Sequence, residues 1–246
     1  MKIPLTKPFF NTLEEKAVIG VLRSGWVTQG PKVAEFENLI ADYVGAKYAV
    51  ATTSATTSLF LSLYMLGIGA GDEVIVPSFS FIATTNVIVH VGAKPIFVDI
   101  DPKTYNLDPE RVKVSITSKT KAIMAVDQVG LPCDLDKIHK IARKYKLFVV
   151  EDAACALGSE YKGKKIGSIS ELTCFSFHPR KLITTGDGGM ITTNERKLAE
   201  LARLLRHQGM AVSSVARHKV TKVIHEKYPK IGFNFRMSDL EAGVGV

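Results

Sequence analysis

From Tyr48 onward the chain alternates between short runs of β-branched and aliphatic residues and longer stretches with apolar residues at helical spacing. That rhythm restricts it to α/β architecture more firmly than any other feature. Residues 48–52, 73–76, 95–99, 122–126 and 147–150 read as strands, and residues 56–66, 80–91 and 134–145 as helices. After Gly163 the pattern shortens to strands at 172–177 and 190–193, then a helix over 195–206 with Asn194 as its expected N-cap. Ahead of the first strand, one helix begins after Asn11 and stops at Gly25, and a second covers 33–43. The expected sheet is mostly parallel.

At 246 residues, 46% of them hydrophobic, the chain can bury one sizeable core. The net charge of +8 gathers toward the C-terminal quarter, in Arg203, Arg206, Arg217, Lys219, Lys222, Lys227 and Lys230. A local excess without helical or strand period reads as a solvated loop, and no nucleic-acid partner is expected. Lys2, Pro4, Lys7 and Pro8 break the N-terminus too early for a signal peptide, and no apolar run is long enough to span a bilayer. A cytoplasmic protein without a membrane partner is expected. Cys133, Cys155 and Cys174 lack the close spacing of a zinc site, so no metal is expected and all three read as buried free thiols.

Ligands of parallel α/β sheets gather at the carboxyl ends of the strands. Polar clusters follow predicted strands at residues 54–57, at 78–81 and at Asp152. Asp152 closes a very apolar strand in the string EDAACALGS, where an unpaired acid is costly. It either accepts backbone hydrogen bonds at a helix start or faces a cation. Lys181 stands in CFSFHPRKLITTGDGGM, between a strand and a glycine-rich turn, where a long side chain can reach a pocket. Taken alone, the lysine reads as a surface charge and GDGG as a tight turn.

Together, FSFHPRKLITTGDGG and EDAACALGS resemble the paired signatures of the DegT/StrS family of nucleotide-sugar aminotransferases, which depend on pyridoxal 5′-phosphate (PLP) and share the aspartate aminotransferase fold. GWVTQGPKVAEFE, DEVIVPSFSFIATTNVIVHVGAKPIFVDID, GLPCDLD, RLLRHQGM and GFNFRMSDLEA match in the same order through nearly the whole chain. The resemblance implies a fold type I large domain, a mostly parallel, seven-stranded-type sheet sandwiched by helices. It implies that Lys181 holds PLP as a Schiff base and moves a proton between the substrate Cα and the cofactor C4′; a desolvated lysine of lowered pKa suits both tasks. Asp152 would pair with the pyridinium nitrogen and keep it protonated. Ser54, Ala55 and Thr56 would hold the cofactor phosphate at a helix N-terminus, with Ser176 as a second hydroxyl; Ala55 takes a place where the family has glycine. Phe81 would stack on the ring while Phe79 joins the core. Cys155 replaces a glutamine or histidine near the ring oxygen, and a thiol donates only weakly there. Asn234 would reach the phosphate held by another subunit, which implies a homodimer with shared sites. His178 is expected to be structural or substrate-lining.

The activity so implied is transfer of an amino group, with glutamate as donor, to a keto group of a nucleotide-linked sugar. A PLP-dependent sugar dehydratase of the same family would carry histidine in place of Lys181. A noncatalytic PLP-binding remnant is the other reading, because MSDLEAGVGV resembles the start of a helix leading into a smaller C-terminal domain. The expected organisation is a PLP-binding large domain over 1–209, then a basic loop and the start of that helix over 210–246. Such a helix, left uncovered, would expose apolar surface.

Overall fold

Each helix that opens the fold is bounded by chemistry visible in the sequence. The computed structural model describes residues 3, 4, 6–211 and 226–246. Helix α1 (Thr12–Ser24) starts where the Asn11 side chain accepts from the Leu13 N–H at 2.7 Å and Glu14 reaches back to the Asn11 N–H. Gly25, at φ 76°, ends it. Helix α2 (Pro31–Val44) opens on a proline and turns Val33, Phe36, Ile40 and Val44 to the core.

Seven strands build the central sheet: β1 (Tyr48–Thr52), β2 (Glu73–Pro77), β3 (Lys94–Val98), β4 (Thr120–Val126), β5 (Phe148–Asp152), β8 (Leu172–Ser176) and β9 (Gly189–Thr193). Their order is β1-β9-β8-β5-β4-β2-β3, and only β9 runs against the others. The expected mostly parallel sheet between helices is what forms. Strand alternation splits the core between its faces: Val74, Val76, Ala122 and Met124 point to one side, Ile75, Ile123 and Ala125 to the other. The first side is covered by α3 (Ala55–Met65), α4 (Ile82–His90) and α7 (Arg196–Arg206). The second is covered by α2, α5 (Pro109–Val114), α6 (Leu135–Tyr145) and α8 (Asp239–Gly245).

Some details depart from expectation. Helix α4 begins at Ile82, with Phe81 still extended at φ −66° and ψ 139°. The six residues of α5, capped by Asp108, and the two-residue strands β6 (Glu160–Tyr161) and β7 (Lys164–Lys165) were too short to leave a period. Asn194 does not cap α7: its amide accepts from the Lys47 N–H at 2.9 Å and donates to the Ser168 carbonyl at 3.0 Å, tying three segments together. Helix α8 is not left uncovered. A Cβ on Gly245 would sit 2.7 Å from the Phe36 ring and one on Gly243 3.1 Å from Val21, so α8 is wedged against α1 and α2. Buried Asp239 locks that packing by accepting N–H groups of Gly30, Lys32 and Val33 at 2.7–3.0 Å, at the start of α2. Arg217, Lys219 and Lys222 of the expected basic loop lie outside the described residues.

Candidate active site

A cavity of about 450 Å³ opens where β1, β4, β5 and β8 end and β9 begins. Its walls bring together Ser54, Ala55, Thr56, Phe81, Asp152, Cys155, Ser176 and Lys181, eight of the nine residues read from sequence as a site. The ninth, Asn234, is exposed and outside this cavity; its backbone pairs with that of His207. Ser78 is also outside, its hydroxyl directed at Asp99.

Ser54 ends an extended segment and accepts from the Thr57 N–H, making the first turn of α3 a capping box. The N–H groups of Ala55 and Thr56 open the helix and have no intrahelical carbonyl to reach, and the helix dipole adds positive potential there. Anion binding needs nothing more at such a turn. The turn can lie against β9 because residue 189 is glycine: a Cβ there would meet the Ser54 carbonyl atoms at 2.3 Å and the Ala55 nitrogen at 2.5 Å. Gly189, the last glycine of the GDGG string, therefore serves the anion turn. The Cβ of Ala55 is accommodated at the cavity wall.

Asp152 is 6% exposed. Its Oδ2 accepts from Thr84 Oγ1 at 2.7 Å and its Oδ1 from the Ala154 N–H at 3.2 Å. Burial pushes its pKa up, while Thr84, the Ala154 N–H and the Lys181 charge pull it down. No ion pair reaches it among the described residues, so the cation expected beside it is not a directly bonded protein group.

Lys181 is half-buried rather than desolvated, and its Nζ donates to Cys155 Sγ at 3.2 Å. Cys155 is exposed to the cavity, against the expectation that all three thiols are buried; Cys133 and Cys174 are buried, and burial pushes both thiols up. Phe81 is 76% exposed beside the cavity. Phe79, expected in the core, is exposed too, its ring 5.8 Å from that of Tyr105. The chain turns into α4 directly after Ser80 and Phe81, so the alternation of a strand does not carry through Phe79 and Phe81. His178 lines the cavity as an exposed side chain whose Nδ1 accepts from the Arg180 N–H at 3.3 Å.

Sequence reasoning missed Thr84, Asp127, Gln128 and Asp187. Asp127, Gln128 and Asp187 line the cavity, and Thr84 holds Asp152 from behind. Asp127 carries the signal that singled out Asp152, an acid directly after an apolar strand, and could have been found by it.

The fold is of the kind found in solved PLP-dependent aminotransferases. The structure described as "Putative sugar aminotransferase Spr1654 from Streptococcus pneumoniae, PMP-form" superposes with a TM-score of 0.93 at 34% identity, covering 99% of this chain and 66% of that one. The chain belongs to the DegT/DnrJ/EryC1/StrS aminotransferase family, whose profile matches residues 10–246. It is 44% identical over 246 residues to the GDP-perosamine synthase of Caulobacter vibrioides, covering 100% of this chain and 64% of that protein. It is 42% identical over 239 residues to the UDP-4-amino-4-deoxy-L-arabinose--oxoglutarate aminotransferase of Shewanella sediminis, covering 97% of this chain and 61% of that protein. The chain thus spans less than two thirds of the length of these curated relatives.

Proposed function

We propose that the cavity binds PLP and that the whole protein transfers an amino group from glutamate to a keto group on a nucleotide-linked sugar. The observation that carries this reading is the convergence of Lys181, buried Asp152 and the α3 N-terminus on one cavity. The donor set fits the cofactor. Asp152, buried and without a directly bonded protein cation among the described residues, suits a pyridinium N–H, and the turn at Ser54, Ala55 and Thr56 suits a phosphate dianion, with Ser176 Oγ on the same wall. PLP, when bound, would supply an electron sink for the charge left when a proton is removed from the substrate Cα.

The chain's own groups perform the rest. Lys181 Nζ, as a free amine, is a nucleophile and a carrier for the proton at the substrate Cα. Asp152, steadied by Thr84 at its Oδ2, would hold a proton at the pyridine nitrogen. Cys155 Sγ accepts from Lys181 Nζ and steers the amine within the cavity. The Shewanella relative's name pairs a UDP-linked amino sugar with oxoglutarate, the keto acid that glutamate becomes on losing its amino group; this supports glutamate as donor. A homodimer is part of the reading, supported by Asn234, which is exposed and does not line its own cavity. No helix among the described residues is long and apolar enough to cross a membrane, and the unpaired thiols support a reducing cytoplasmic compartment.

The test is to load the purified protein with PLP, record its visible absorption, reduce with borohydride and map the adduct by mass spectrometry, with Lys181→Ala as control. An adduct on Lys181, and bleaching of the absorption by glutamate, support transamination. No adduct in the wild type sinks the reading; an adduct that glutamate does not bleach would leave a binding protein without this activity.

A further inference from the structure

Three acids crowd the ends of two neighbouring strands below the cavity: Asp127 just after β4, and Glu151 and Asp152 at the end of β5. The strands hold them in register, with Ala125 opposite Glu151, Val126 opposite Asp152, and the Asp127 N–H donating to the Asp152 carbonyl at 3.1 Å. Asp127 Oδ1 accepts from the Cys133 N–H at 2.9 Å, and Glu151 Oε2 accepts from Thr173 Oγ1 at 2.9 Å. The remaining oxygens, Asp127 Oδ2 and Glu151 Oε1, are buried and meet no other donor among the described residues, and the two acids are near enough for the charge of Glu151 to push Asp127 up. Carboxylates only accept, so two buried oxygens so placed can both be satisfied by one proton held between them.

We propose that Asp127 and Glu151 share a single proton and form a charge-setting pair, which decides how close one buried negative charge lies to the cofactor. Two further full charges beside Asp152 would be prohibitive in this interior. The surroundings fix where the proton rests. Burial, then the charge of Glu151, pushes Asp127 well above the carboxylate range, and the charge of Asp152 adds to this. Glu151 is also raised by burial but is held toward its anion by donors from Ser170, Asp127 and Thr173 and by His139, whose Nε2 lies 3.1 Å from Ser170 Oγ. In the proposed resting arrangement the proton is on Asp127 and the charge on Glu151.

Only Asp127 of the two lines the cavity. Transfer within the pair breaks the O–H bond at Asp127 Oδ2 and forms one at Glu151 Oε1. The net charge stays constant while the anion moves to the cavity wall. Asp152, Cys133, Lys181 and His139 are the other titratable groups that face the acids. Acting through the cofactor's surroundings, Asp127 and Glu151 are positioning residues, and a cation forming in the cavity would be favoured by the second arrangement.

The inference rests on the PLP reading, and two isosteric variants test it by placing the charge on opposite members. Asp127→Asn keeps the anion on Glu151; Glu151→Gln donates to Asp127 and keeps the anion there. With PLP bound, the pH titration of the visible chromophore should show a higher apparent pKa in Glu151→Gln than in Asp127→Asn by about one unit, tenfold in proton affinity, with wild type near Asp127→Asn. Superimposable curves from two folded variants would overturn the proposal. Infrared spectra of the PLP-free protein at neutral pH decide it independently of cofactor and of Glu151→Gln folding. A protonated-carboxyl band in the wild type that Asp127→Asn lacks is expected, and its absence refutes the shared proton. Wild type that forms no chromophore but shows the band would sink the PLP reading alone.

Discussion

Thr84 Oγ1 lies 2.7 Å from Asp152 Oδ2, and Ser80 Oγ lies 2.8 Å behind it. The acid beneath the cavity is thus held by α4, an element that arrives from a strand two places away in the sheet. Hydrogen bonds to charged groups are each worth about 1.5–3 kcal/mol. Thr84→Val keeps the shape and deletes the donor, so the Asp152 carboxyl should rise further. PLP affinity should fall about tenfold or more, the equivalent of ~1.4 kcal/mol. Absorbance titration with PLP measures this, and an unchanged affinity would show that Thr84 only packs.

Asp127 gives a stability prediction with a definite sign. Its native pKa is raised above the ordinary 3.8, so the folded state holds a proton that the unfolded chain releases first. Its contribution is fully present below the unfolded value and is lost as pH rises through the raised folded value. Urea unfolding of the PLP-free protein should therefore show wild type losing stability relative to Asp127→Asn as pH rises from about 4 toward neutrality. A difference that stays flat over that range would place the native pKa of Asp127 near its ordinary value.

Gly189→Ala should be among the most damaging small substitutions in the chain. The added methyl meets Ser54 and Ala55 backbone atoms at 2.3–2.5 Å, and backbone cannot rotate away as a side chain can. A loss of about 3 kcal/mol in folding stability is expected, with PLP affinity weakened beyond that loss because the anion turn itself is displaced. Thermal unfolding and PLP titration separate the two effects.

Asp239→Ala removes the acceptor for three backbone N–H groups at the start of α2 and leaves them buried or half-buried. The expected cost is about 3 kcal/mol, while Asp239→Ser, a shorter cap, should restore part of it. Denaturant midpoints at constant slope are the measurement. Equal midpoints for wild type and Asp239→Ala would show that water replaces the cap.

Most of the sheet was legible because it depends on local pattern, strand alternation and helix caps, and the polar residues directly after strands marked one end of it; Phe81, Cys155, Ser176 and the role of Lys181 came from the family resemblance, and the fold brings them to the same cavity. What stayed hidden depends on distance. Thr84 looks like any polar residue on a helix until packing turns it toward Asp152, 68 positions away. Asp239 reads as part of an N-terminal helix turn, yet it caps a helix more than 200 residues earlier. Asn194 failed in the opposite direction: its residue type and place suggest a cap, but its amide is taken by Lys47 and Ser168. Phe79 was assigned to the core as the counterpart of Phe81, and Cys155 was grouped with two buried thiols, yet Phe79 is exposed and Cys155 opens on the cavity.

The sheet order also has a consequence for how the protein is made. β1 touches the rest of the sheet only through β9, which is synthesised almost 140 residues later. On the ribosome, the segment from Tyr48 to Thr56 must wait, its strand edge unpaired, until both β8 and β9 have emerged. The pocket is therefore a late product of translation, and a nascent chain halted before Gly189 has the acid but not the strand against which the Ser54–Ala55 turn packs.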